Sequence, residues 1–172
     1  VEGKEVTGKD LSKVVSKIKG EKGTTVELTV LRGENAKEVT VTATRDTVQA
    51  QTIEYKLMDD KIGYIRVSEF DTVTYDQYEE ALDDLEKQGM TGLVVDLRNN
   101  PGGSLSTVCD MLDLMLPKGL IVYTEDKDGK KTEMKSDEEH QFTKPLAVLV
   151  NGNSASASEI YSGAIQDYGI GK

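Results

Sequence analysis

Leu93-Val94-Val95-Asp96-Leu97-Arg98-Asn99-Asn100-Pro101-Gly102-Gly103 is the stretch that organises this chain. Its first five residues form a short, largely apolar run of the kind covered on both faces of a parallel sheet. The run breaks into Asn-Asn-Pro-Gly-Gly, a turn composition. An apolar stripe then recurs at helical spacing through Leu105, Val108, Cys109, Leu112, Met115 and Leu116. Further on the same order returns. Leu146-Ala147-Val148-Leu149-Val150 reads as a strand, Asn151-Gly152-Asn153 as a loop, and a helix is predicted from about Ser156 to Tyr168.

Working outward, strands are expected near 51–58 and 62–69 across the polar turn Asp59-Asp60-Lys61. Thr74-Tyr75-Asp76-Gln77 has the spacing of a capping box. Tyr75, Tyr78, Leu82 and Leu85 form the apolar stripe of a helix ending at Gly89. Two more strands, near 119–124 and 131–135, flank the hairpin turn Lys127-Asp128-Gly129-Lys130. Alternating strands and helices predict an α/β body with crossover units. At the front, Leu11, Val14, Val15 and Ile18 mark one helix, with Thr7 and Asp10 as its N-cap signal and Gly20 as its C-cap glycine. Residues 25–31 and 38–42 alternate as strands around the turn Gly33-Glu34-Asn35. One helix and two strands hold too little core to stand alone, so this segment reads as part of a domain.

Charge supplies the boundary. Of 21 Lys and Arg, 9 fall in residues 1–46, together with 8 of the 31 Asp and Glu. The remaining 12 and 23 make residues 47–172 strongly acidic, and the chain carries −10 overall. Two domains are therefore expected, 1–46 and 47–172. The negative balance argues against nucleic acid as a partner, since little here would displace its counterions. No apolar run approaches the roughly 18 to 20 residues of a membrane helix. No basic-then-apolar leader opens the sequence, so any targeting signal is expected outside it. A single Cys and a single His exclude an internal disulfide framework and the usual zinc sets, and no metal or cofactor is expected.

Chemistry is expected at the two strand–turn–helix junctions. A helix start offers unpaired N–H groups and the positive end of a dipole, which suit a developing oxyanion. Gly102 and Gly103 lack side chains that would keep a substrate carbonyl away. Ser154-Ala155-Ser156-Ala157-Ser158 holds hydroxyls at a sharp turn, as a nucleophile elbow does. Serine is also a favoured N-cap, and Asn-Asn-Pro-Gly-Gly also suits an ordinary loop. Glu159 fits as a first-turn acid favoured by the helix dipole.

Taken as a pair, 93–103 and Val150-Asn151-Gly152-Asn153-Ser154-Ala155-Ser156-Ala157-Ser158-Glu159-Ile160 resemble the C-terminal processing (tail-specific) serine peptidases. Gln166-Asp167-Tyr168-Gly169 extends the match. Gly3-Lys4-Glu5-Val6-Thr7-Gly8 and Gly20-Glu21-Lys22-Gly23-Thr24 resemble the second half of that family's PDZ domain. The resemblance implies a crotonase-like ββα core preceded by a partial PDZ domain. It implies a nucleophile at Ser156, an oxyanion hole from the N–H groups of Gly102, Gly103 and Ala157, and a supporting acid at Asp167, which reads equally as an ordinary polar residue of the C-terminal helix. It further implies polypeptide substrates with accessible C-termini and a location in the cell envelope or outside the cell. The family is a serine–lysine peptidase whose lysine falls in a Gly-Lys-Gly turn further downstream than Lys172. The chain is therefore expected to be inactive by itself. Lys172, beside flexible glycines, and His140, in the polar run Asp137-Glu138-Glu139-His140-Gln141, are expected to be solvated rather than to serve as the base. Cys109 is expected in the core. The acidic run from Asp76 to Glu86 is expected to cover the solvent side of its helix. A non-catalytic peptide-binding or scaffold domain on the same fold is the alternative.

Overall fold

A computed structural model describes residues 1–33, 36–137 and 139–172. The chain divides into two compact units, Val1–Gln49 and Ala50–Lys172, the division falling three residues past the change in charge balance.

The first unit holds α1 (Leu11–Ile18), β1 (Thr25–Arg32) and β2 (Lys37–Thr44). The strands pair antiparallel from Thr25↔Thr44 to Arg32↔Lys37. Glu34 and Asn35, central to the expected turn, lie outside the described residues. The N-cap is Asp10, whose carboxylate accepts the Lys13 N–H, and not Thr7. Gly20 is no left-handed cap either. A Cβ there would collide with the Arg45 side chain, which donates from Nε to the Ile18 carbonyl at 2.7 Å and from Nη1 to the Thr25 carbonyl at 2.7 Å. Arg45 thus satisfies the end of α1 and fastens it to β1. Val26 is the only buried apolar side chain of this unit among the described residues, as the scarcity of core predicts.

The second unit is built on a four-stranded sheet of β3 (Ile53–Leu57), β4 (Ile62–Val67), β5 (Gly92–Asp96) and β8 (Leu146–Leu149), in the order β3-β4-β5-β8. β3 and β4 are antiparallel, while β4, β5 and β8 run parallel. The crossovers carry α2 (Thr74–Lys87) and α3 (Leu105–Asp113), the hairpin β6 (Gly119–Glu125) and β7 (Lys131–Ser136) lies between α3 and β8, and α4 (Ala157–Asp167) follows β8. Ile65, Val67, Leu93, Val95 and Leu97 meet Tyr78, Leu85, Met111, Leu112, Tyr161 and Ile165 in one core, and Cys109 is buried there too. No helix among the described residues is long and apolar enough to cross a membrane.

Two local readings change. The first turn of α2 carries no side-chain cap. Thr74 Oγ1 instead bonds Thr52 Oγ1 at 2.8 Å, and Gln77 Oε1 accepts the Thr52 N–H at 3.0 Å. The capping-box residues thus tie the helix start to the entrance of β3. Lys172, expected to be loose, donates its N–H to the Leu146 carbonyl and accepts the Val148 N–H. That is the parallel-strand pattern, so its backbone is fixed on β8 while its side chain stays exposed.

At the centre of the core the Tyr161 and Tyr78 hydroxyls bond at 2.8 Å, and Tyr78 donates onward to Met115 Sδ. The rings meet edge to face, and burial pushes both phenols well above their ordinary pKa, keeping them protonated. Tyr78→Phe strands the Tyr161 hydroxyl in the core and is expected to cost about 1–3 kcal/mol. The double variant with Tyr161→Phe is expected to cost clearly less than the two single changes summed. Denaturant titration of the four proteins measures this, and strict additivity would contradict the coupling.

Candidate active site

Because β5 and β8 are adjacent and parallel, with Asp96 opposite Leu149, the turns at their C-terminal ends leave the sheet at the same edge. The ends of parallel strands are where open α/β sheets place ligands. Here the two turns are laced together by asparagine. Asn99 N–H donates to Asn151 Oδ1 at 3.0 Å, and Asn99 Oδ1 accepts from both Asn151 Nδ2 and Asn153 Nδ2. The Asn100 carbonyl accepts the Ala155 N–H at 3.2 Å and the Ser158 hydroxyl at 3.0 Å.

The three serines are thereby sorted. Ser154 Oγ donates to the Leu97 carbonyl at 2.8 Å and accepts the Asn151 N–H, and Ser158 is buried on Asn100. Both fasten α4 to the turn after β5. Ser156 makes no such tie. It is exposed, and its backbone sits at φ 53°, ψ −115°. An ordinary N-cap serine is extended, as Ser104 is at the start of α3, with φ −66°, ψ 126° and its hydroxyl accepting the Thr107 N–H. A non-glycine residue held at positive φ costs of order 1–3 kcal/mol and marks sites where the strain has a use. Glu159 accepts the Ser156 N–H at 2.7 Å and completes a capping box with Ser156, the N-cap of α4, which helps to hold this conformation.

Gly102 packs against the same turn. A Cβ there would lie 2.8 Å from the Ala155 carbonyl oxygen and from Ser156 Cβ, and 3.0 Å from the Ala157 nitrogen. At Gly103 a Cβ would strike the Phe70 backbone, which pairs with the turn through Phe70 N–H to the Gly102 carbonyl and Ser104 N–H to the Phe70 carbonyl. With φ at +107° and +143°, both positions demand glycine. Beside the expected reason, room for a substrate carbonyl, the structure gives a closer one: these two chain segments approach each other too tightly for side chains. Of the three N–H groups expected to form an oxyanion hole, that of Gly102 is already taken, donating to Asn100 Oδ1 at 2.8 Å. The N–H groups of Gly103 and Ala157 have no acceptor among the described residues.

The other expected participants lie elsewhere. Asp167 closes α4, ten residues and about 15 Å of helix from Ala157, so it does not support Ser156 by contact. His140 is exposed beside Glu86, Leu114 and Phe142, past the end of α3 opposite to Gly103, about 13 Å along that helix. Lys172 pairs with the first half of β8, whereas Ser156 comes after its end.

Residues 61–172 match the sequence profile of Peptidase family S41. The chain belongs to that family. The S41 chain is 38% identical over 168 residues to the carboxy-terminal processing protease CtpA of Bacillus subtilis, covering 97% of this chain and 36% of that protein. It is 36% identical over 171 residues to the carboxyl-terminal-processing protease of Synechocystis sp., covering 97% of this chain and 40% of that protein. Among solved structures, the photosystem II D1 C-terminal processing protease superposes with a TM-score of 0.64 at 29% identity, over 99% of this chain and 48% of that one. The S41 chain thus spans less than half the length of these relatives.

Sequence reading missed two features of this S41 chain. Asn100, fully buried, passed as part of an ordinary loop, although an asparagine directly before Pro-Gly-Gly at a strand end was its only signal. Asp96 reads as one polar residue in an apolar strand. It is buried, with Arg98 Nη2 at 2.6 Å, Arg98 Nε at 2.9 Å and the Tyr64 hydroxyl at 2.6 Å. Arg98 and Tyr64 also line an open cleft of about 410 Å³ with Glu54, Arg66, Asn99 and Asn151.

The Arg98 hydrogen bonds hold the Asp96 carboxyl well below the usual range, against burial, which pushes it upward. The stability contributed by ionised Asp96 is present above the unfolded-state carboxylate pKa of about 3.9 and is withdrawn as pH falls below it. Denaturant titration is therefore expected to show a shallower loss of stability below about pH 4 in Asp96→Asn than in the parent, from a lower plateau at neutral pH. Parallel acid limbs would refute this assignment. At Ser156, glycine relieves the positive φ and alanine does not. Ser156→Gly is expected to exceed Ser156→Ala in stability by about 1 kcal/mol, as read from paired melts, and equal stability would remove the strain.

Proposed function

We propose that this chain carries the nucleophile and oxyanion side of an S41 serine endopeptidase, with Ser156 as nucleophile. The observation that carries this reading is the conformation of Ser156: exposed, at positive φ, on a helix N-terminus, and pressed against a glycine turn whose Gly103 N–H is open. Ser156 Oγ attacks the scissile carbonyl carbon while its proton passes to a general base. The carbonyl π electrons move onto oxygen, and the oxyanion lies between the N–H groups of Gly103 and Ala157. Collapse breaks the C–N bond, and the base returns the proton to the departing amine. Water then attacks the acyl-Ser156 ester and, by the same proton route, releases the carboxylate and restores the hydroxyl.

The base in this reading is a lysine, forming a Ser–Lys dyad. Desolvation lowers a lysine's pKa enough to accept the proton. Neither Lys172 nor His140 is placed to act, so the lysine is assigned outside residues 1–172, and these 172 residues are inactive by themselves. The second unit is then a crotonase-like core, and the first is the C-terminal half of a PDZ domain with the boundary near residue 46. The substrates are unstructured polypeptides recognised by their C-termini, outside the cytoplasm. Acyl transfer of this kind draws on a proton acceptor and N–H donors and calls for no cofactor.

Mass spectrometry of a disordered polypeptide with an apolar free C-terminus tests this reading. The protein extended past Lys172 to the length of its relatives is expected to cut it, with turnover falling roughly 10⁴-fold or more in Ser156→Ala, and the 172-residue chain is expected to leave it intact. Cutting by the 172-residue chain, lost in Ser156→Ala, would move the base inside it. Binding without cutting by the extended form would favour a non-catalytic peptide-binding domain on this fold.

A further inference from the structure

Four backbone N–H groups converge where the two turns touch: those of Gly102, Gly103, Ser156 and Ala157. Each is a donor that must find an acceptor in the protein, in water or in a ligand. Two are accounted for within the fold. Gly102 donates to Asn100 Oδ1 at 2.8 Å, and Ser156 donates to the Glu159 carboxylate at 2.7 Å. Exposure divides the glycines in the same way, since Gly102 is buried and Gly103 is exposed, while Ala157 is buried and its N–H has no acceptor among the described residues.

Asn100 is fully buried, and every polar group it owns is in use. Its N–H donates to the Leu97 carbonyl at 3.2 Å, and its own carbonyl receives Ala155 and Ser158. Its Nδ2 donates to the Val67 carbonyl at 2.9 Å while Oδ1 takes Gly102. Facing one N–H and one carbonyl, the side chain needs an acceptor and a donor on adjacent atoms, which a carboxamide supplies in one orientation only. One residue therefore joins the ends of β4 and β5, the glycine turn and the start of α4.

We propose that Asn100 is a positioning residue that selects the oxyanion donors: it withdraws Gly102 N–H from the site and fixes Gly103 and Ala157 N–H as the pair that faces substrate. This inference rests on Ser156 being the nucleophile. Asn100 touches no reacting atom. It sets the spacing between the turn that carries one donor and the helix that carries the other.

The test has two arms. Amide exchange by NMR on the 172-residue chain needs no activity and no variant. Gly102 is expected to exchange at least about 100-fold more slowly than Gly103. The second arm uses the extended, cleaving protein. Asn100→Ala is expected to lose roughly 10²–10³-fold in kcat with KM changed less than about threefold. Asn100→Asp, which keeps an acceptor for Gly102, is expected to retain more of kcat than Asn100→Ala. Equal exchange at Gly102 and Gly103 overturns the proposal. So does a folded Asn100→Ala protein, verified by its near-UV spectrum, that keeps kcat within threefold or loses activity through KM alone. A wild-type extended protein that cleaves nothing would remove the Ser156 reading and this inference with it, whereas active wild type with an unaffected Asn100→Ala would remove this inference alone.

Discussion

The parallel pairing of β5 with β8 is the constraint on which the rest of the second unit depends. Two parallel neighbours must both end at the same edge, so the residues after Asp96 and after Leu149 emerge side by side although they are more than fifty positions apart in sequence. Two turns must then fit into the space of one. Glycine at 102 and 103 is the solution on one side, because any Cβ would occupy backbone atoms of Phe70 or of the Ser156 turn. The asparagines at 99, 100, 151 and 153 are the solution on the other. Their amides both donate and accept, and so they join loop backbones that have no regular ladder to join them.

Strain at Ser156 has its origin in the same crowding. A cost of about 1–3 kcal/mol is a noticeable part of a typical stability of about 5–15 kcal/mol. It persists because the neighbours on both sides are over-determined: Ser154 and Ser158 are each hydrogen-bonded to the turn after β5, and Glu159 holds the Ser156 N–H. With residues 154 and 158 fixed, the backbone between them has little freedom to relax, and the middle side chain is driven outward. Ser104 begins a helix of similar length in the same unit with its N–H held by the Phe70 carbonyl, and it adopts the relaxed, extended N-cap conformation. The two serines are the same residue at the same helical position, so residue type alone does not account for the positive φ at Ser156.

How much of this was legible depends on where each signal resides. Element type and order, the apolar stripes of α2 and α3 and the buried run of β5 arise from local periodicity, and they read correctly. Serine at 156 and glycine at 102 and 103 were visible as a motif pair. Features that depend on a distant partner were not visible. Thr74 and Gln77 have capping-box spacing, yet the entrance of β3 competes for their side chains and wins. Asp10 replaces Thr7 because the helix starts one residue after it. Asp167 belongs to a helix whose beginning is near Ser156, but eleven residues of helix carry it away. The role of Asn100 needs β4, β5 and α4 together, and no window of sequence contains all three.

The same distinction governs charge. A balance of −10 describes solubility and long-range association, whereas a polar group responds to its surroundings within a few ångströms. Much of the acidity of the second unit lies on α2, at Asp76, Glu79, Glu80, Asp83 and Asp84, around a surface depression with Tyr55 and Lys87. Asp96 is neutralised by Arg98. The edge where the turns meet is lined by Asn, Ser, Gly and Ala, and two helices, α3 and α4, begin there with their partial positive ends adjacent. Glu159 is the acid of this edge, and its carboxylate is engaged on the Ser156 N–H. The local field at Ser156 is therefore set by the backbone dipoles together with the Glu159 carboxylate beside it, and the acidic composition of the chain reveals neither.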